Sequence, residues 1–583
     1  MMNARRGLTA TLAVATVGTA VAATTAVASP STTWVPTATK AVQLRAAHLI
    51  GATAAATPLH LTLALAPRDA AGAAKELKAI STPGSPSYEH FLTPAQYTAR
   101  YAPTQMSANA VASYLRREGF RNVSVLPTRL LVTADGTARM AEKAFRTSIS
   151  TFKVGSLTVH ANTAAAFVPR ALQGVVQSVI GLNDLPLPTP HPAAKARTQA
   201  AGSPDPFIEL SPKLFQNTYD AKGTPTGAKT PIAIFTQGNV SRVIKDLRVA
   251  EAKNHLPVVS VTQINVGPQS NDTSGLDEFD MDTQVSTAMA TTVKHLYLYN
   301  VASLIDSNIV AAFGTFAAQH KAVAMSASIG GCDLNPYLDG SMVATDVILQ
   351  EAAMQGQTLF ASSGDNGEGC AYLAATGVPS SFPGTNWPAS GEYTTAVGGT
   401  SLLTDASGNR VQEIAWVGSG GGTSEVENPG WWQANSNPLQ DAEFVTGGRA
   451  VPDISLDADP NFFTAAAVYV DGQVAGVGGT SLSSPLMLGA WARLQSAHGN
   501  RLGLASIALY RLYNKVNPGT DLQAASGGTV PVPETLPAPN PAPVKGFTDI
   551  TVGSNGLWEA TPGYDEVTGL GAPDLAALSK ALR

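Results

Sequence analysis

Between residues 230 and 363 short apolar runs alternate with helix-patterned stretches, and this rhythm restricts the fold more than any other feature of the chain. The runs are TPIAIFT (230–236), PVVSVTQINV (257–266), HLYLYNVA (295–302), AVAMSAS (322–328) and TLFASS (358–363). Stretches such as DTQVSTAMATTV and MVATDVILQEAAMQG lie between them. Strands that alternate with helices form a mostly parallel sheet covered on both faces, so each run is expected to be a buried strand. In such sheets the chemistry sits beyond the carboxyl ends of the strands, where SASIGG and ASSGDNG lie. With 583 residues the chain is too long for one core, and two or three domains are expected. Its apolar content of 44% and net charge of −5 argue against disorder, and no overall basic excess supports nucleic-acid binding.

The front of the chain reads differently. Arg5 and Arg6 precede an apolar, small-residue stretch that ends in Ala26-Val27-Ala28, which is an A-x-A cleavage pattern. Residues 1–28 are therefore expected to be a secretory signal, and no later run is apolar enough to span a membrane. Residues 45–184 read as a compact α+β unit with strands in HLTLALAP, SVLPTRLLVTADG and ISTFKVGSLTVHAN. Helices are expected in DAAGAAKELKAIS and in 107–120, the latter stopped at Gly119. Residues 185–206 are rich in Pro, Ala and Ser and read as an exposed linker. The α/β part occupies 207–583. Residues 1–202 hold 19 basic and 7 acidic side chains, net +12, whereas 203–583 hold 18 and 35, net −17. This asymmetry suggests an electrostatically matched pair of domains that acid would loosen. In an oxidising compartment Cys332 and Cys370 either pair or remain as buried free thiols.

Three segments hold candidate chemistry. In Gly478-Gly479-Thr480-Ser481-Leu482-Ser483-Ser484-Pro485 a long apolar helix begins directly after the serine, which places Ser481 near a helix N-terminus. There the N–H groups and dipole favour developing negative charge, which suits a nucleophile; from this segment alone a plain Ser/Thr cap after a Gly turn is the commoner reading. A serine nucleophile needs a base, and His255, His295, His320 and His498 offer no histidine in a fitting Gly-flanked context. Carboxylates are the alternative. Asp277, Glu278, Asp280 and Asp282 fall within six residues. Ser274 and Asp277 have capping-box spacing. Glu278 and Asp282 are four apart on one helix face and, if buried, must share a proton. Asp365, in Ser362-Ser363-Gly364-Asp365-Asn366-Gly367 at a strand end, is either a third functional acid or a turn former.

The type, order and spacing of Ser481, Glu278, Asp282 and Asp365 resemble the sedolisins, the serine-carboxyl peptidases. GEYTTAVGGTSL (391–402), VPDISLDADP (451–460) and GYDEVTGLGAPD (563–574) also look like that family, and SYEHFLTPAQYTARYAPT (87–104) resembles its activation propeptide, of the pro-kumamolisin kind. The resemblance implies a subtilisin-like α/β fold preceded by an α+β propeptide domain. It makes Ser481 the nucleophile, Glu278 its base, Asp282 the group that orients Glu278, and Asp365 the donor to the oxyanion. A carboxyl donates only when protonated, and Glu works best near its own pKa, so activity is expected in acid.

The resemblance also assigns Ser328, Ile329 and Gly330 to the substrate cleft, with Ile329 where the family commonly has Trp. It implies one Ca²⁺ held by the Asp549 and Asp565 side chains and the Ile550, Thr561 and Gly563 carbonyls, Thr561 standing where Gly is more usual. On composition alone that stretch is a polar surface turn, though two carboxylates and turn carbonyls suit calcium. The expected protein is a secreted, monomeric zymogen that cleaves itself in the linker and acts on proteins or peptides. Its own propeptide would be the inhibitor, with no nucleic acid or membrane as partner. The rivals are a non-catalytic peptide-binding module, which a lost catalytic residue would indicate, and a neutral subtilase, which needs a histidine motif.

Overall fold

A computed structural model describes residues 33–42, 44, 47–187, 208–373, 379–434, 448–460, 464–516 and 546–582. The proposed signal and nearly all of the proposed linker lie outside the described residues.

The front domain is built on a four-stranded antiparallel sheet of β1 (Pro58–Leu65), β2 (Arg121–Val125), β3 (Leu131–Thr137) and β4 (Val176–Ile180), in the order β2-β3-β1-β4. Its helices include α1 (Ala70–Ser81), capped by the Asp69 side chain, and α2 (Gln105–Arg117), capped by Thr104. Caps of this type satisfy N–H groups that the first turn leaves unpaired. Gly119, at φ +95, lies just past α2, where a left-handed residue is needed to turn the chain. The interior of this domain includes Leu61, Leu63, Val111, Leu115, Val132 and Phe145.

The back domain holds an eight-stranded sheet. Along it run β6 (Val261–Asn265), β7 (Val293–Val301), β5 (Gly227–Gln237), β8 (Ala324–Ala327), β9 (Thr358–Ser362), β10 (Thr394–Thr404) and β11 (Arg410–Ala415). The first six are mutually parallel, β11 returns antiparallel to β10, and β12 (Ile454–Asp457) joins β10 in parallel. This is the expected subtilisin-like, mostly parallel sheet with flanking helices. One run departs from expectation. PVVSVTQINV forms the edge strand β6, half-exposed or exposed along its length, because only β7 covers it on one side.

Helices α3 (Ser241–Lys253), α4 (Leu276–Ala290), α5 (Asp306–Gln319) and α6 (Ser341–Met354) flank the sheet. Helix α7 (Thr480–Ala497) is buried from Thr480 to Ser496, and it packs on α4 and on β5, β9 and β10. A helix apolar on every side belongs inside a domain. Gly489 permits its close approach to α4: a Cβ there would stand 2.4 Å from the Ser286 carbonyl oxygen. Helix α4 is also buried from Glu278 to Ala290 despite its polar composition. Its hydroxyls are satisfied within the helix, Thr283, Ser286 and Thr287 donating back to the carbonyls of Phe279, Asp282 and Thr283.

The two domains meet along α5, α6 and the chain between them. Thr39 donates its hydroxyl to the Asp339 carbonyl at 2.9 Å, Asn183 Nδ2 donates to Asp339 Oδ2 at 3.0 Å, and the Leu92 N–H donates to the Met354 carbonyl at 2.9 Å. The Phe91 ring fills the space over Gly356 and Gly503, where Cβ atoms would come within 2.9 and 2.7 Å of it. Leu77, Ile80, Leu92 and Tyr97 are continuous with the back domain's core. The charge match expected from composition is not what joins these surfaces. Among the described residues the ion pair across the seam is Arg501 with Glu89 at 3.6 Å, an acid in front and a base behind. Where front-domain bases reach the seam they meet aromatic rings rather than acids, Lys40 over Tyr337 and Lys78 over Trp431, and the remaining contacts are apolar packing and hydrogen bonds.

Candidate active site

Ser481 is the second residue of α7 and is 2% exposed. Gly479 caps the helix at φ +94, a conformation that side chains disfavour. Pro485 lies in the helix and has no N–H to give the Ser481 carbonyl four residues earlier. The Ser328 hydroxyl stands 3.3 Å from that carbonyl oxygen and occupies the side the helix leaves open.

Helix α4 brings Glu278 and Asp282 to this point, both buried. Ser328 donates to Asp282 Oδ1 at 2.7 Å. Both Glu278 oxygens and Asp282 Oδ2 are buried without a hydrogen-bond partner among the described residues. Burial first, and then the neighbouring Asp282, push Glu278 well above the usual carboxyl range. The Ser481 and Ser328 hydroxyls lie near enough to oppose that shift, without closing hydrogen bonds of ordinary geometry. Burial raises Asp282 as well, against its bond from Ser328. Two carboxyls so placed hold one proton between them over a wide pH range.

Asp365 follows β9 and faces the same point. Its Oδ1 accepts from the Thr480 N–H at 2.7 Å and lies 2.8 Å from the Thr480 hydroxyl. The residue keeps some exposure, as the wall of a cleft does, yet enough protein surrounds the carboxyl that desolvation raises its pKa against both bonds. Asp365 in turn raises Glu278, so the two acids face each other electrostatically.

The other acids of the α4 cluster belong elsewhere. The capping box expected from Ser274 and Asp277 does not form. The helix starts two residues after Ser274, Gly275 is its cap with no side-chain bond, and the Ser274 hydroxyl donates to Asp272 instead. Asp277 is exposed and pairs with Arg242 at 2.7 Å. Asp280 is fully buried 3.5 Å from Arg242, and burial together with Asp246 pushes its carboxyl up to about 8.

Residues 328–330 connect β8 to the short strand Gly331–Cys332 without pairing to a strand themselves. Ile329 is buried in the main core, so its side chain faces inward. Cys332 and Cys370 form a disulfide.

Near the C-terminus Asp549 accepts from the Gly563 N–H at 3.0 and 3.1 Å, and Asp565 accepts from Thr561, Val567 and Thr568 N–H groups. Burial raises Asp549 to about 6 and Asp565 well above its ordinary value. Among the described residues no basic side chain pairs with either acid, and no backbone N–H donates to the carbonyls of Ile550, Thr561 or Gly563. Two uncompensated carboxylates beside free carbonyls fit a hard cation such as Ca²⁺.

Sedolisin of Pseudomonas sp. (strain 101) is 34% identical over 95% of this chain and 94% of its own length. The chain belongs to the sedolisin family. Xanthomonalisin of Xanthomonas sp. (strain T-22) is 30% identical over 90% of this chain and 65% of its own. Residues 45–185 match the family described as Pro-kumamolisin, activation domain. The solved structure of Pseudomonas sedolisin (serine-carboxyl proteinase) complexed with two molecules of pseudo-iodotyrostatin superposes with a TM-score of 0.55 at 32% identity, covering 64% of this chain and 98% of that one. The protein is thus a serine-carboxyl peptidase of the sedolisin family, a serine-type peptidase whose activation domain implies a zymogen.

Sequence reasoning missed Thr480 and the side-chain role of Ser328. Thr480 stands inside the GGTSLSSP segment but reads there as a helix-start residue. Ser328 reads as a backbone contributor, whereas its hydroxyl bridges α4 and α7. Neither carries a signal apart from its neighbours.

Proposed function

We propose that the chain is a secreted, acid-active peptidase, made as a self-processing zymogen, in which Ser481 hydrolyses peptide bonds with carboxyls in place of histidine. Carrying this reading is the convergence of two buried carboxyls without a counter-charge, Glu278 and Asp282, on the serine at the start of α7. Ser481 Oγ attacks the scissile carbonyl carbon while Glu278 takes its proton. Asp282, held through Oδ1 by Ser328, carries the pair's own proton and orients Glu278. Protonated Asp365 donates to the oxyanion. Glu278 then passes its proton to the leaving amine, and an acyl-Ser481 ester remains. Water attacks that ester with Glu278 again as base, releasing the carboxylic acid and restoring the serine.

Acid dependence follows from two ionisations. Below the lower step of the Glu278–Asp282 pair no carboxylate remains to act as base. Above the pKa of Asp365 the oxyanion donor is lost. The substrate would lie extended along Ser328, Ile329 and Gly330, and the front domain would inhibit the enzyme until the linker is cut. Export is supported by Arg5, Arg6 and Ala26-Val27-Ala28, and by a disulfide suited to an oxidising compartment. One Ca²⁺ at Asp549, Ile550, Thr561, Gly563 and Asp565 would brace the C-terminal loop. Incubating the precursor at about pH 4, where free carboxyls titrate, tests the reading. Wild type is expected to cut itself and a peptide substrate, and Ser481→Ala to lose about 10⁶ in kcat and stay uncut. Retained activity in Ser481→Ala removes the assignment.

A further inference from the structure

Thr480 ties the two sides of the cleft together. Its N–H and its hydroxyl both reach Asp365 Oδ1, at 2.7 and 2.8 Å. The hydroxyl also accepts from the Gly364 N–H at 3.1 Å and lies 3.1 Å from the Gly364 carbonyl oxygen. The side chain is 1% exposed, and its methyl packs against Gly399, where a Cβ would stand 3.3 Å away. Thr480 is at the same time the covalent neighbour of Ser481. One residue therefore joins the loop that carries Asp365 to the helix that carries the nucleophile.

A carboxyl oxygen that already accepts two hydrogen bonds is a poor place for the acid's proton. With Oδ1 so engaged, the proton belongs on Oδ2, the oxygen turned toward Gly479. We infer that Thr480 is a positioning residue for acyl transfer: it fixes the rotation of the Asp365 carboxyl and reserves Oδ2 for the hydrogen bond given to the oxyanion. The inference rests on the reading of Asp365 as that donor.

Loss of the hydroxyl has a directional consequence. Both Thr480 bonds favour the ionised form of Asp365 and oppose its desolvation. Glu278 is the titratable group that faces Asp365 across the cleft. Removing the hydroxyl leaves burial and Glu278 less opposed, so Asp365 holds its proton to higher pH. A purely structural threonine has no such effect.

The test compares Thr480→Val, Thr480→Ser, Asp365→Asn and the double variant Thr480→Val/Asp365→Asn, each made as the full chain, with Thr480→Ala taking the place of valine if that variant does not fold. Thr480→Val is expected to lower kcat/KM about ten- to a hundredfold through misplacement and to move the alkaline limb of the pH profile upward. Thr480→Ser is expected to restore both. In the Asp365→Asn background the valine substitution is expected to shift no limb and to cost less than it does alone. An unmoved alkaline limb in Thr480→Val, or an equal loss with and without Asp365, overturns the inference while Asp365→Asn remains impaired. If Asp365→Asn behaves as wild type, the oxyanion reading falls and this inference falls with it.

Discussion

Gly479 and Asp365 meet with no space between them: a Cβ on Gly479 would stand 2.7 Å from Asp365 Oδ2. Gly479 also holds φ at +94, so a side chain there is strained as well as crowded. The glycine lets the acid approach the start of α7. Gly479→Ala is expected to displace Asp365 and lower kcat/KM by about 10²-fold, in line with a displacement near 1 Å. Steady-state kinetics beside circular dichroism checks it, and a folded variant with normal kcat/KM would show that the contact is idle.

Glu351 makes the joint between the domains sensitive to pH. It is fully buried on α6, with Thr128 and Tyr97 of the front domain among the groups around it, and desolvation pushes it up to about 8. A carboxyl raised on folding stabilises the folded form below its ordinary unfolded value. That stability is lost as pH rises through the folded value. The precursor's Tm is therefore expected to fall between about pH 4.5 and about pH 8, and Glu351→Gln to flatten that fall. Thermal melts across this range decide it, and equal slopes in both proteins count against Glu351.

Arg242 gathers Asp246, Asp277, Asp280 and Asp471 around one guanidinium. Removing it leaves Asp280 buried without its counter-charge. Since the arginine is partly exposed, the expected cost of Arg242→Met is about 2 kcal/mol, below the 3–5 typical of a fully buried pair. With Asp280 near 8, the loss should shrink in acid, where the carboxyl is neutral, and grow as pH rises past that value. Denaturant unfolding at acid and mildly alkaline pH measures the difference.

The C-terminal loop provides a prediction on metal. A chelator is expected to lower the Tm of the wild type, and added Ca²⁺ to restore it. Asp565→Ala, which removes a buried ligand and the acceptor of three backbone N–H groups, should melt lower and respond to neither. A wild-type Tm indifferent to chelator contradicts the calcium site.

Much of this was legible in the sequence because its signals are local. The apolar runs of β5, β7, β8 and β9 mark themselves, and the spacing of Glu278 and Asp282 places both on one face of α4. What was hidden depends on partners far along the chain. The edge position of β6 depends on which strand pairs with it; the failed capping box is the exception, a local competition in which Asp272, two residues back, takes the Ser274 hydroxyl. The bridge from Ser328 to Asp282 spans 46 residues, and that from Thr480 to Asp365 spans 115. Composition misled at the seam, since a count of charges does not say which faces carry them.

That carboxyls perform the work of a histidine is tested most directly by the pH profile of kcat/KM on a peptide substrate. A bell with its maximum in acid, falling as neutrality is approached and abolished in Glu278→Gln, is the predicted result. A plateau through neutral pH, or a Glu278→Gln enzyme that turns over as fast as wild type, would contradict it.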